Sequence, residues 1–578
     1  VAIHRVFDTS RDRLVFDVGH QCYIHKMLTG RGGRMDTLRT FGGLAGFPKP
    51  AESVHDAFIA GHASDSVSVA VGMARARTRL GEDYHVLALI GDGALTGGLA
   101  YEGLSDAGGS GEPLIVILND NGMSITKNVG GVAELLARQR LKPQYLHFKQ
   151  GYRKAMKVLP GGRHIYRVTH KLKSGIKGTL LPCSFFEDMG FTYLGPVDGH
   201  DVKRLTKLLR YARDLSCPVL LHIRTVKGKG YAPAERNPDK FHGVSRFCVE
   251  TGAPVRPSGT DFSKVFGETM CELAGEDPRV CAITAAMAPG TGLSGFFETS
   301  PERSFDVGIA EGHAVSLAAG MAKQGMTPVF AVYSTFLQRG YDMLLHDVGI
   351  QGLHVVLGVD RAGLVGADGE THHGAFDVAF LNTVPGMTVY SPASFAELRT
   401  MLRHAVSGCT GPVAVRYPRG GEGDYKDDAG LTAAVLRPGR DITLVGYGLL
   451  INQLLKAAQV LEARGISAEV VKLGRLTPLD WGEVARSVQK TGHLLVAEEC
   501  AASGCVGERL GARLLTAGVA LKSLTLCNLG ERYVPHGSAE ELLALCGLDA
   551  GHLIKRVEEV LRHGEKAAGC AADGAGIF

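Results

Sequence analysis

Residues 85–93 read His-Val-Leu-Ala-Leu-Ile-Gly-Asp-Gly, and residues 114–121 read Leu-Ile-Val-Ile-Leu-Asn-Asp-Asn. Each is a short apolar run that stops at small or polar turn residues, which is how a buried parallel strand reads. Between them Leu99, Leu104 and Ala107 mark a helical stretch. Strand, tight turn, helix and strand together make a parallel α/β unit. At the carboxyl end of such a strand a Gly turn lets backbone N–H groups and the next helix start face a phosphate. Asp92 and Asn121, brought to that end, offer hard oxygens of the kind Mg²⁺ takes alongside substrate phosphates. Gly91-Asp92-Gly93 alone would be only a tight turn. Joined to Asn119-Asp120-Asn121 by one crossover helix, it is a specific phosphate-and-metal signal.

The same rhythm runs outward through the chain. Strands are expected at 329–332, 355–359 and 387–390, with a helix from Thr335, and again at 442–445, 468–471 and 494–497. The stretch 249–262 has Pro and Gly without periodicity and reads as a linker, and 420–428 is a polar break. With 578 residues and about 150 per domain, the expectation is three successive parallel-sheet α/β domains. Their bounds are 1–250, 260–420 and 436–562, and 563–578 is a Gly- and Ala-rich flexible tail.

Composition narrows the function. The chain is 45% hydrophobic and 21% charged, which is ordinary globular usage and excludes disorder as the main state. A net charge of +4 from 63 basic and 59 acidic residues is small for a nucleic-acid binder. No run approaches the roughly 18 apolar residues a membrane helix needs. The 12 cysteines include no C-x-x-C pair, so reduced thiols and a cytoplasmic location are expected, with no paired-Cys zinc site. The run 138–177 is basic and has no Asp or Glu, and reads as a solvated excursion between core elements. Val1 opens without an initiator Met, like the end of a helix whose start is missing, and a targeting segment could precede it.

Further stretches carry a resemblance. They are Asp17–His20, Gly42–Pro48, Gly61-His62-Ala63, Gly195–His200, Lys227–Tyr231 and Phe241-His242-Gly243 in the first part of the chain. They continue with Tyr333–Arg339, Asp360–Asp368, Thr371–Gly374 and Arg416–Gly420. With the turns at 91–93 and 119–121 they resemble the 1-deoxy-D-xylulose-5-phosphate synthases, of the transketolase-like superfamily, from Val1 to about Arg562. The resemblance implies thiamine diphosphate and Mg²⁺ as cofactors. It implies pyruvate and D-glyceraldehyde 3-phosphate as substrates, condensed with loss of CO₂ in the first step of non-mevalonate isoprenoid synthesis. A homodimer is implied too, with no nucleic-acid or membrane partner.

By position, the resemblance assigns Mg²⁺ to Asp92, Asn121 and the Met123 carbonyl. It sets His20, Gly61, His62, Ala63, Gly93, Ala94, Asn121 and Tyr231 around the diphosphate and thiazolium, and makes Ile125 the apolar prop under the bent cofactor. Glu311 faces the aminopyrimidine and favours its imino tautomer, with Phe336 packed on the ring. His20, His242 and His372 are candidate proton-moving groups near neutral pH, beside the catalytic Glu311. Tyr333, Arg339, Arg361, Asp368, His372 and Arg419 form the substrate set. Arg361 and Arg419 clamp the acceptor's phosphate, whose geometry suits guanidinium.

Two departures stand out. The family carries roughly 60 residues before the position of Val1, as a first α/β domain needs its leading elements, including a Ser-Gly-His segment. Ala63 replaces a usual Ser. The alternatives are a transketolase, a 2-oxoacid dehydrogenase E1-type enzyme, or a truncated protein that binds cofactor without turnover.

Overall fold

The apolar runs form strands because both of their faces are covered. The structure is a computed structural model that describes residues 1–123, 129–131, 134, 136, 184–243, 246–255 and 259–573. Two compact units divide the chain. The first holds Val1–Leu38, Leu44–Pro257 and Gly308–Ala310; the second holds Arg39–Gly43, Ser258–Val307 and Glu311–Phe578. Ile125 and the basic run 138–177 lie outside the described residues.

In the first unit β1 (Arg13–Phe16), β2 (Val86–Gly91), β3 (Ile115–Asp120), β4 (Thr192–Asp198) and β5 (Val219–Arg224) form one parallel sheet, ordered β1-β2-β3-β5-β4. Its register sets Gly91 opposite Asn119. Asp92 and the 119–121 turn therefore leave the sheet at the same edge. One face is packed by α1 (Ser66–Leu80) and α2 (Gly98–Ser110), the other by α3 (Val202–Arg213), which buries Leu205, Leu209 and Ala212. The buried stripe of α2 is Ala100, Gly103, Leu104 and Ala107, while the expected Leu99 is 41% exposed. Positions five apart cannot share a helix face, since a face recurs every three or four residues. The stretch read as a linker begins with structure of its own. Phe247 bridges Pro254, and Cys248 N–H donates to Ala253 O at 2.8 Å.

The second unit carries two sheets. α4 (Phe262–Glu276) precedes β6 (Val280–Thr284) and β7 (Ser304–Asp306). Then come α5 (Glu311–Lys323), β8 (Thr327–Tyr333), β9 (Val356–Asp360), β10 (Thr388–Tyr390), α6 (Phe395–Ser407) and β11 (Val413–Arg416). The helix expected from Thr335 begins as Ser334–Leu337 and runs on in helical turns of changing pitch, 3-10 over Gln338–Gly340, α over Tyr341–Met343 and π over Leu344–Gly349. The third region supplies β12 (Ala434–Arg437), β13 (Ile442–Gly446), α7 (Leu450–Ala463), β14 (Ala468–Lys472) and β15 (Arg475–Thr477). It continues with α8 (Gly482–Thr491), β16 (His493–Ala497), α9 (Val506–Thr516), β17 (Ser523–Cys527) and α10 (Ala550–Asp573).

The two sheets are ordered β15-β10-β11-β9-β8-β6-β7 and β12-β14-β13-β16-β17. Only the edge strands β15 and β12 pair antiparallel. β15 crosses over to complete the sheet of the preceding region, so the second and third regions share a sheet. The polar break at 420–428 is also anchored, because Tyr425 is buried and its hydroxyl donates to Glu397 at 2.8 Å. α10 continues through Asp573, into the stretch read as a loose tail. Among the described residues no cysteine is paired, and no helix is long and apolar enough to cross a membrane.

Candidate active site

Candidate groups gather in each unit at strand ends. In the first unit, β2 delivers Asp92, whose carboxylate accepts N–H bonds from Gly122 at 2.7 Å and Asn121 at 3.3 Å. Asn121 Oδ1 in turn accepts from Met123 N–H at 2.9 Å. Burial, and after it the negative charge of Asp120, push Asp92 up to about 7. Two carboxylates buried side by side are costly without a compensating cation. The donors here are hard oxygens. Among the described residues no three His, Cys, Asp or Glu side chains group where a metal ion could sit, so a cation here would draw on amide and backbone oxygens beside Asp92. A small divalent cation that also takes ligand phosphates fits this set.

The turn that faces Asp92 is fixed by Asp17, beyond the end of β1. Asp17 accepts from Ser64 N–H at 2.8 Å and the Ser66 hydroxyl at 2.7 Å, and burial raises its pKa to about 6. Ser64 Oγ donates to Ala94 O at 2.7 Å, which ties the Gly61–Ser64 turn to the Gly93-Ala94 turn. Val18 N–H donates to His62 O at 3.1 Å. His20 lies against His242 with ring centroids 4.7 Å apart, and Lys227 Nζ is 3.1 Å from His242 Nδ1. Ala63 is buried in the apolar cluster of α1 and α2. The Tyr231 hydroxyl donates to Val249 O at 2.7 Å, and its ring packs on Phe241 and Phe247.

Sequence reasoning missed a buried relay behind Asp92. Asp120 Oδ2 is 3.0 Å from His222 Nε2, and His222 Nδ1 is 2.8 Å from the Tyr193 hydroxyl. The available signal was His222 itself, a polar residue inside the apolar strand β5.

In the second unit, Glu311 opens α5, and burial raises its pKa although Arg339 lies 3.8 Å away. Arg339 thus pairs with Glu311. Phe336 stacks on Tyr333 at 5.7 Å and meets His372 edge-on at 5.6 Å. The Arg361 guanidinium covers the other side of this cluster, 3.8 Å from the Tyr333 ring centroid. Asp368 collects the arginines. Arg419 Nη1 is at 3.1 Å and Arg361 Nη1 at 3.6 Å, and Arg39 pairs with the same carboxylate. Burial pushes Asp368 up, but His372 and the three guanidiniums outweigh it and hold the carboxyl below its ordinary value. Arg39 was also missed by sequence reasoning. It sits just before the Gly42–Pro48 stretch, in an irregular segment with no periodic signal.

Comparison with known proteins bears on both groups of residues. The family model described as 1-deoxy-D-xylulose-5-phosphate synthase matches residues 1–225. The transketolase pyrimidine binding domain matches 258–421, and the transketolase C-terminal domain matches 431–553. A 1-deoxy-D-xylulose-5-phosphate synthase of Clostridium kluyveri is 46% identical over 97% of this chain and 90% of its own. One of Symbiobacterium thermophilum is 47% identical over 97% of this chain and 87% of its own.

The chain belongs to the 1-deoxy-D-xylulose-5-phosphate synthase family.

A synthase of Chlorobaculum tepidum matches likewise, at 45% identity over 97% of this chain and 90% of its own. A solved chain described as a split gene transketolase, inactive beta4 tetramer, matches at 28% identity and a TM-score of 0.47, covering 53% of this chain and 99% of that one. Membership in the synthase family sets aside the transketolase and dehydrogenase alternatives, and the mostly parallel sheets agree with transketolase-like domains.

Proposed function

We infer that the chain works as its family does, as a thiamine diphosphate-dependent transferase forming 1-deoxy-D-xylulose 5-phosphate. Its substrates are pyruvate and D-glyceraldehyde 3-phosphate, and its product feeds isoprenoid synthesis. The observation that carries the residue roles is the pairing of Asp92 and Asn121 at one sheet edge, beside a second buried carboxylate. Asp92, Asn121 and the Met123 carbonyl hold Mg²⁺. The turns Gly61–Ala63 and Gly93-Ala94, locked together through Ser64, hold the diphosphate, with Lys227 adding positive charge.

When bound, thiamine diphosphate supplies the nucleophilic carbon that takes up pyruvate and lets CO₂ leave. Glu311, buried and with its pKa raised, shares a proton with the aminopyrimidine, and Phe336 packs on that ring. His20, His242 and His372 move protons at the reacting carbonyls. Arg361, Arg419 and Arg39 bind the acceptor's phosphate, which replaces Asp368 as their anion. Tyr333 presents a ring that positions Arg361 and Phe336. The protein acts as a homodimer in the cytoplasm.

The test measures CO₂ release from labelled pyruvate, with and without D-glyceraldehyde 3-phosphate and Mg²⁺, in parent and Asp92→Ala. Release that needs both in the parent, and a variant that no longer binds thiamine diphosphate in a Mg²⁺-dependent way, are expected. Release independent of the aldehyde would overturn the reaction, and unchanged cofactor binding by Asp92→Ala would overturn the metal assignment.

A further inference from the structure

The acceptor-phosphate clamp is assembled from separate pieces of chain. Arg39 comes from the short segment Arg39–Gly43, Arg361 and Asp368 from the loop after β9, and Arg419 from the turn after β11. The loop 361–374 has one 3-10 turn, Gly369–Thr371, and otherwise no regular structure to set where its side chains stand. Its neck is closed by reciprocal bonds between Gly363 and Gly374, at 2.9 and 2.8 Å. From the second region Arg419 Nη1 donates to Val365 O at 3.0 Å and Thr335 Oγ1 to Thr371 O at 3.1 Å, and a further set of holds comes from the third region.

Glu499 accepts from Leu364 N–H at 3.0 Å. His373 accepts from Val365 N–H at 3.0 Å through Nδ1 and donates through Nε2 to Pro535 O at 3.2 Å. Gly537 N–H reaches Gly366 O at 3.4 Å. His536 does two things at once. Its Nε2 donates to Gly43 O at 3.2 Å, fixing the segment that carries Arg39. Its Cβ lies under Gly369, next to Asp368. That glycine has a φ of +75°, and a Cβ there would stand 3.0 Å from His536 Cβ. His536 is buried at 6% exposure. One imidazole from the third region thus links the two pieces of chain that meet at Asp368.

We propose that His536 is a positioning residue for acceptor selectivity, and that the third region's part in the reaction is to set the spacing of the phosphate clamp through it. This rests on the clamp reading given above. Displacement of a binding group by about an ångström is costly even when the group itself is intact. Losing the His536 bond therefore weakens use of a phosphorylated acceptor specifically. A role in packing alone would lower every activity together.

The experiment compares kcat/KM for D-glyceraldehyde 3-phosphate and for D-glyceraldehyde, at saturating pyruvate, thiamine diphosphate and Mg²⁺. The proteins are the parent, His536→Ala, His536→Gln and Arg419→Ala. His536→Ala is expected to lower the phosphorylated-to-unphosphorylated ratio roughly tenfold, through KM and not kcat. His536→Gln, whose amide nitrogen reaches the position of Nε2, is expected to restore most of the ratio. An unchanged ratio in His536→Ala, or equal loss with both acceptors, overturns the proposal if Arg419→Ala does lower the ratio. If Arg419→Ala leaves the ratio unchanged, the clamp reading fails and the proposal with it. Should His536→Ala not fold, His536→Asn against His536→Gln replaces it, because Asn carries the same amide on a stem too short to reach Gly43. Loss of the ratio in Asn and retention in Gln support the proposal, and equal ratios in the two overturn it.

Discussion

Asp360 ends β9 immediately before Arg361, and it is fully buried. One oxygen accepts the Ser263 hydroxyl at 2.7 Å, while Oδ1 has no hydrogen-bond donor among the described residues. Burial raises its pKa from 3.8 to about 7, against the opposing pull of Ser263 and Arg361. The sign of the consequence follows from linkage. Between the unfolded and folded pKa values the folded protein holds the extra proton, so stability from this group is full below about pH 4 and is lost as pH rises through 7. Asp360→Asn stays neutral throughout. Its melting temperature should therefore gain on the parent's between pH 4 and 7 and run parallel above that. A difference that stays constant from pH 4 to 8 would show that Asp360 is ionised in the fold. Asp368, by contrast, is held below its ordinary value by His372 and its three arginines, so those guanidiniums already have an anion in place.

At the scale of elements, α6 and β14 are joined by a buried ion pair. Lys472 Nζ lies 2.9 Å from Glu397 Oε1, off the axis of a good hydrogen bond, and neither side chain is exposed. Glu397 also accepts the Tyr425 hydroxyl at 2.8 Å and Ala393 N–H at 2.7 Å. Removing one partner strands the other charge away from water. Glu397→Ala should cost about 3–5 kcal/mol in urea unfolding, and adding Lys472→Met should recover part of it. A double variant no more stable than Glu397→Ala would mean that the loss lies in the Tyr425 and Ala393 bonds. Elements of this kind mark the limit of what the sequence tells. β2, β3, β9 and β13 are continuous apolar runs covered on both faces, so composition alone locates them. β15 is three residues long, and its place depends on the open edge of β10, which no local pattern encodes. The same holds in the site. Asp92 and Asn121 announce themselves through turn chemistry at strand ends, whereas Arg39 and His536 lie in irregular segments whose roles come from what folds against them.

For the whole molecule, shared structure between the second and third regions makes them one unit. β15 pairs with β10 through Val389–Thr477 and Tyr390–Arg475, and Ala501 N–H donates to Ala375 O at 2.9 Å. A protease cut within the exposed part of 420–428 should leave the two fragments together on gel filtration, parting only in denaturant. Fragments that elute separately under native conditions would show that the two regions are independent domains. The crossover of β15 also bears on how the chain is made. A ribosome releases the polypeptide from its amino end, so β10 emerges and joins its sheet well before Arg475–Thr477 exists. During that interval β10 is an unguarded edge, free to recruit a strand from a neighbouring nascent chain on the same message. The speed of translation between the two segments thus decides how long each new molecule stays open to the wrong partner.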